Sequence, residues 1–240
     1  MRIRPAVTEL NHSLIREVSE ANMGRDGLNK LWFGEPDTAT PDFIKNAVTA
    51  ALADDHVFYA QNRGVPQLCD AISTYVSALH QRSIGVDRIT VSGSGMNAIM
   101  LTSQALIDQG DNMVNVGPVW PNCRETVHVM GGETRVVSLH PDDGGRWALD
   151  LDELLDACDD RTRGIFVNSP GNPTGWVMPR AQQEDLLTAA RERGLFIVAD
   201  EVYVRLAYEM PRAPSFIDIA AEDDPVIVIN SFSKSWSMTG

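Results

Sequence analysis

Residues 164–200 read GIFVNSPGNPTGWVMPRAQQEDLLTAARERGLFIVAD, and this stretch decides the fold. It opens on one short apolar run, Gly164–Asn168, and closes on another, Leu195–Asp200. Both runs are continuous rather than alternating, the pattern of strands covered on both faces of a parallel sheet. Between them Pro179–Arg193 reads as a helix, with proline at its start and basic residues before Gly194 at its stop.

The same alternation extends outward. Further strands are expected at Arg88–Ser92, Asn112–Val116, Thr134–Leu139 and Val226–Ser231, with helices at Met96–Ile107, Asn122–Met130 and Leu151–Cys158. Strands alternating with helices in this way imply a doubly wound α/β domain. Its ligand belongs at the carboxyl ends of the strands. Asp42–Ala53 and Pro66–Gln81 read as two more helices, and residues 1–40 as an arm or part of a second lobe. The acidic pairs Asp142-Asp143, Asp159-Asp160 and Asp223-Asp224 fall in expected turns, where solvated carboxylates are ordinary.

Composition narrows the function classes. The chain has 240 residues, 43% of them hydrophobic, with 20 basic and 33 acidic side chains and a formal charge of −13. That hydrophobic content excludes a disordered chain. The net charge opposes nucleic-acid and anionic-membrane binding over the general surface, while leaving room for a local anion pocket. Cys69, Cys123 and Cys158 are scattered, which fits reduced thiols in a cytoplasmic protein. The opening MRIRPAVTEL offers no apolar run for a signal sequence, and no stretch approaches membrane-spanning length. His12, His56, His80, His128 and His140 fall at no ligand spacing, so no metal site is expected.

Several short motifs carry chemistry. Gly93-Ser94-Gly95-Met96-Asn97-Ala98 satisfies the dinucleotide pattern G-x-G-x-x-A, which also demands a carboxylate at the end of the next strand. That strand ends Val114-Asn115-Val116-Gly117-Pro118 and has none, so what remains is a phosphate-receiving helix N-terminus. Ser231-Phe232-Ser233-Lys234 satisfies S-x-x-K, but the companion motifs of acylating enzymes are missing. Lys234, just beyond an apolar strand, is then a candidate desolvated amine suited to Schiff-base chemistry. Asp200 ends its own apolar strand, and a carboxylate there needs a cation, which a protonated ring nitrogen would supply. Asn168–Gly175 is a loop stiffened by two prolines at the ligand edge, and Trp120 ends a third strand as a candidate ring-stacking platform.

In this order the motifs resemble those of fold-type I pyridoxal-phosphate aminotransferases of class I/II, the group that includes aspartate and aromatic aminotransferases. The resemblance runs from Gly34-Glu35-Pro36-Asp37 through Tyr59, Gly64, GSGMNA, PVWP, NSPGNPTG, ADEVY and SFSK. It implies a three-layer α/β/α transferase fold with a mostly parallel sheet, incomplete at the C-terminal end. Residues 1–40 would be an N-terminal arm and part of a small domain, and residues 41–240 the large domain that binds pyridoxal 5'-phosphate. By the same resemblance Lys234 would form the Schiff base and shuttle a proton, and Asp200 would keep the pyridine ring protonated. Asn172 and Tyr203 would bond the ring's phenolic oxygen, and Trp120 would stack on the ring. Ser94, Gly95 and Met96, with Ser231 and Ser233, would hold the phosphate. Tyr59 would reach the phosphate of the neighbouring subunit in a homodimer, and Gly34 would lie against the substrate carboxylate, near Trp120 and Asn172.

The implied reaction moves an amino group from an amino acid to a 2-oxo acid. A β-lyase or decarboxylase of the same fold shares the whole motif set. A non-enzymatic cofactor-sensing module also shares it, although no helix-turn-helix precedes residue 34. Leu68-Cys69 stands where the family often has Leu-Arg, and reads as a peripheral surface change. The phosphate-binding arginine expected shortly after Lys234, and the arginine that grips the substrate carboxylate, would lie beyond residue 240. The chain is therefore expected to be a catalytically inert piece of a longer one. A strand expected to insert beside Arg88–Ser92 would be missing, which is expected to part the phosphate-binding turn from the Lys234 segment.

Overall fold

The computed structural model describes residues 3–240. Two short helices, α1 (Pro5–Thr8) and α2 (Leu14–Asn22), come first, followed by α3 (Asp42–Ala53), α4 (Pro66–His80) and α5 (Gly95–Leu106). Then follow β1 (Asn112–Gly117), α6 (Asn122–Met130), β2 (Glu133–Ser138), a small hairpin of β3 (His140–Pro141) and β4 (Trp147–Ala148), and α7 (Leu151–Asp156). The chain closes with β5 (Thr162–Asn168), α8 (Arg180–Arg193), β6 (Phe196–Asp200), β7 (Val226–Ile229) and α9 (Phe232–Ser235).

Five strands form one sheet in the order β2-β1-β5-β6-β7, and every pair in it is parallel. Successive side chains of a strand point to opposite faces, so the apolar runs supply two cores. On one face Val114, Val116, Ile165, Val167, Ile197 and Ala199 pack with Leu154 of α7 and Leu186, Leu187 and Ala190 of α8. On the other, Met113, Phe166, Val198 and Ile229 pack with Ile99 of α5 and Cys123 and Val127 of α6. This is the three-layer arrangement the sequence implies. The register pairs Asn168 with Asp200, and Asp200 with Ile229, so the carboxyl ends of β5, β6 and β7 lie side by side.

Four expectations need correction. Arg88–Ser92 is not a strand: Val86–Arg88 is a turn of 3-10 helix, and the residues after it run unpaired into α5. No neighbouring strand offers it a ladder; the Val91 N–H donates instead to Arg63 C=O (2.9 Å), and the Arg63 guanidinium donates to the carbonyls of Asp87 and Ile89. Nor is the phosphate-binding turn parted from the Lys234 segment, because a Cβ added at Gly95 would lie 3.6 Å from Ser231 Cβ. Helix α5 is held to the sheet by apolar packing, with Ile99 in the core cluster that contains Met113, Phe166 and Ile229. Cys69 is buried rather than peripheral, with Sγ 3.3 Å from Arg63 C=O. All three acidic turns are built rather than merely solvated: Asp142 pairs with Arg146 (3.1 Å), Asp159 pairs with Arg135 (2.6 Å) and accepts from Asn112 (2.8 Å), and Asp224 pairs with Arg191 (2.5 Å).

Residues 1–40, read without periodicity, contain α2, whose Ser13 cap accepts from Arg16 N–H. The boundaries of α8 shift by one residue, with Pro179 as cap. Among the described residues no helix is long and apolar enough to cross a membrane, and no cluster of three metal-ligating side chains forms.

Because α5 holds its place through Ile99, Ile99→Ala should destabilise the fold by about 2–5 kcal/mol. Urea denaturation monitored by circular dichroism measures this, and a loss below about 1 kcal/mol would show that α5 is held by something else.

Candidate active site at the carboxyl edge of the sheet

Asp200 ends β6 with only 6% of its surface exposed. Its carboxylate accepts one hydrogen bond, from the Val202 N–H at 3.3 Å. Among the described residues it makes no ion pair. Burial therefore pushes its pKa up to about 6, against the smaller pulls of the Val202 N–H and the Lys234 charge. A buried acceptor so poorly paired is a place where a ligand cation would be bound.

Around it the structure gathers side chains from four distant segments. A Cβ placed on Gly34 would meet Tyr203 Oη at 2.9 Å, Asn172 Nδ2 at 3.8 Å and Lys234 Nζ at 3.8 Å. Glycine at 34 is thus required by space, and these three groups converge on one small volume. Asn172 Nδ2 donates to Tyr203 Oη (3.4 Å), and Lys234 Nζ donates to Gly34 C=O while standing 5.7 Å from the centre of the Tyr203 ring. Partial burial lowers the Lys234 pKa, opposed by the charges of Asp200 and Glu35. Burial raises that of Tyr203, opposed by the Asn172 bond. The site amine is thus biased toward its neutral, nucleophilic form and the phenol toward its protonated form.

A second group of donors lies at the start of α5. Ser94 caps the helix, accepting from Asn97 N–H (3.0 Å), so the first amides of α5 point outward past Gly95. Ser231 faces this turn, accepts from Ser233 N–H (3.1 Å) and donates its hydroxyl to Ser233 Oγ (2.9 Å). A helix N-terminus beside two hydroxyls is suited to an oxyanion such as a phosphate. Met96 is drawn toward α6, its sulfur accepting from Asn122 Nδ2 (3.2 Å). Trp120 is half-buried and tied to the same edge by its N–H, which donates to Asn172 C=O (3.0 Å).

The structure thus brings Gly34, Asn172, Tyr203, Asp200 and Lys234 together, places Ser94, Gly95, Ser231 and Ser233 in a second cluster, and joins Trp120 through the backbone. Tyr59 alone stands apart, fully exposed at 108% beside the exposed Phe58.

Sequence reasoning assigns no role to Glu201. Glu201 is fully buried, accepts from Ser215 Oγ–H (2.5 Å) and from Phe216 N–H (2.9 Å), and burial pushes its pKa up to about 7. The one available signal is the carboxylate itself, adjoining a buried strand end. It turns away from Asp200 and anchors the turn that carries Tyr203.

The family described as aminotransferase class I and II matches residues 28–240. A probable aspartate/prephenate aminotransferase of Aquifex aeolicus is 34% identical over 220 residues, which cover 89% of this chain and 55% of that protein. The solved aspartate aminotransferase of Thermotoga maritima superposes with a TM-score of 0.89 at 30% identity, covering 99% of this chain and 64% of that one. That of Thermus thermophilus with maleate gives 0.90 at 31% identity, covering 100% of this chain and 63% of the other. The chain thus spans little more than half the length of the curated relatives it matches.

The raised Asp200 pKa makes a thermodynamic prediction for the ligand-free protein. Its neutral form is favoured by folding, so the associated stability is complete below the unfolded value of 3.8 and is lost as pH rises through about 6. Asp200→Asn should therefore raise stability by about 3 kcal/mol at pH 8 and by less than about 1 kcal/mol at pH 4. Thermal melts at the two pH values measure the difference, and equal effects at both would contradict the burial described.

Proposed function

Because the chain belongs to the aminotransferase class I and II family, we propose that it forms the cofactor-binding part of a pyridoxal 5'-phosphate aminotransferase that passes amino groups from an amino acid to a 2-oxo acid. The observation that carries this reading is the buried Asp200 carboxylate, which makes no ion pair within the described chain, at the same sheet edge where a lysine, a tyrosine and an asparagine converge on Gly34. A protonated pyridine nitrogen is a cation of the right kind to complete it.

The residues present fit that cofactor. Lys234 Nζ would hold its aldehyde carbon, and Asp200 would hold the proton on its ring nitrogen. Asn172 Nδ2 and Tyr203 Oη, already joined to each other, would bond its phenolic oxygen. Trp120 would cover the ring. Ser94, the amides of Gly95 and Met96, and the hydroxyls of Ser231 and Ser233 would bind its phosphate. When bound, the cofactor supplies an electron-withdrawing ring that stabilises negative charge at the α-carbon of an amino acid.

This chain's own groups do the rest. Lys234, its amine pKa lowered by burial, would take the proton from the substrate α-carbon through Nζ once the substrate's amino group has replaced it on the aldehyde carbon. Asp200 keeps the ring proton in place while that charge develops. Gly34 leaves open the space that any side chain would fill, and we assign that space to the substrate carboxylate, bordered by Trp120 and Asn172. Tyr59, exposed among the exposed apolar residues Val57 and Phe58, suits a contact with a second copy of the chain, so the enzyme is read as a homodimer that shares its sites. Three free cysteines are compatible with a reducing cytoplasm. Residues 41–240 are read as the large domain and residues 1–40 as the arm with part of the small one.

The protein carrying this sequence should acquire a visible-range absorbance with pyridoxal 5'-phosphate that borohydride fixes covalently to Lys234. Lys234→Ala should abolish the fixed adduct. No absorbance in the unaltered protein, or a normal adduct after the substitution, overturns the proposal.

A further inference from the structure

We propose that Asn168 is a positioning residue whose carboxamide holds Asp200, Asn172 and Trp120 in the arrangement that receives the cofactor. The inference rests on the reading of the site given above. Asn168 is the last residue of β5 and is only 5% exposed. Its Nδ2 donates to Asp200 C=O (3.0 Å), and its Oδ1 accepts from Asn172 N–H (2.7 Å). Asn172 in turn accepts the Trp120 N–H on its own carbonyl (3.0 Å) and donates from its side chain to Tyr203 Oη (3.4 Å). One buried side chain therefore fixes the backbone of two site residues directly and of a third through one more bond.

The geometry explains why the side chain is needed at this point. Asn168 and Asp200 are the last paired residues of adjacent parallel strands, so beyond them the ladder offers few bonds. The chain then departs in two directions, into the 169–175 loop on one side and the 201–204 turn on the other. The Asn168 carboxamide bridges that divergence. It faces a backbone donor and a backbone acceptor at once, which fixes which end is oxygen and which is nitrogen. A carboxylate has no donor for Asp200 C=O, and an aliphatic side chain leaves the part-buried Asn172 N–H without its partner.

A purely structural role would make Asn168 equivalent to its neighbour. Ser169 is equally buried, and its Oγ accepts from Met178 N–H (2.8 Å), tying the same loop to the segment before α8. That hydroxyl bonds no residue of the site. Ser169→Ala is thus a matched control, since its backbone bond to Asp200 C=O survives the substitution.

The test measures pyridoxal 5'-phosphate affinity by equilibrium titration, and the pH midpoint of the bound-cofactor absorbance, in the protein carrying this sequence. Asn168→Ala should weaken binding at least about tenfold, as expected for one part-buried amide left unpaired, and should shift the midpoint. Ser169→Ala should lower the melting temperature while leaving affinity and midpoint at their original values. Should Asn168→Ala fail to fold, Asn168→Asp keeps the acceptor for Asn172 and loses the donor, and should move the midpoint upward by adding negative charge. Unchanged affinity and midpoint in the Asn168 variant, or equal changes in the Ser169 control, overturn the inference while leaving the site reading intact. Absence of bound-cofactor absorbance in the unaltered protein instead overturns the site reading, and the inference with it.

Discussion

Burying the Asp200 carboxyl at the end of β6 costs several kcal/mol whenever it is ionised without a partner. The sheet, the loop after β5 and the turn after β6 all hold it in place. The parallel register sets it beside Asn168 and Ile229. Glu201, next in the chain, is bonded instead by Ser215 and Phe216, so the two adjoining acids have separate hydrogen-bond partners. Within the described chain only the Val202 N–H and the more distant Lys234 charge offset the burial, and the proposed function completes the pairing with a positively charged ring atom.

A second consequence concerns how the two binding clusters are kept at their separation. The phosphate-binding turn belongs to a helix, and the lysine to the segment after a strand. They are joined by the face-on packing of α5 against the sheet, through Ile99, Phe166 and Ile229. Close-packed interiors resist small displacements, so apolar side chains beside the site fix the separation of the two clusters, which the proposed function has a ring and its phosphate span.

Much of this is legible in the amino-acid sequence alone. The continuous apolar runs locate the five central strands, because a strand covered on both faces has no need to alternate. The candidate site residues are legible because charged side chains stand just at or beyond the ends of apolar strands, Asp200 and Lys234 above all. Arg88–Ser92 misleads because β propensity reports how a segment fits a sheet, while a strand exists only where a neighbour offers a ladder. Cys69 misleads because helix periodicity alone does not say which face of α4 is covered. Asn168 and Glu201 escape notice because their roles lie in bonds to backbone groups far away in sequence, and no local pattern encodes those partners.

The bond from Lys234 to Gly34 joins residues 200 positions apart. Loop closure over such a span adds only slowly to the free-energy cost of folding, but it dictates an order of events. During synthesis at about 5–20 residues per second, Gly34 waits roughly 10–40 s before Lys234 exists. Through that interval the earlier segments can fold only as an edge without its amine. On the proposed function, capture of the cofactor would be a late step of biogenesis, reporting that both distant segments have found each other.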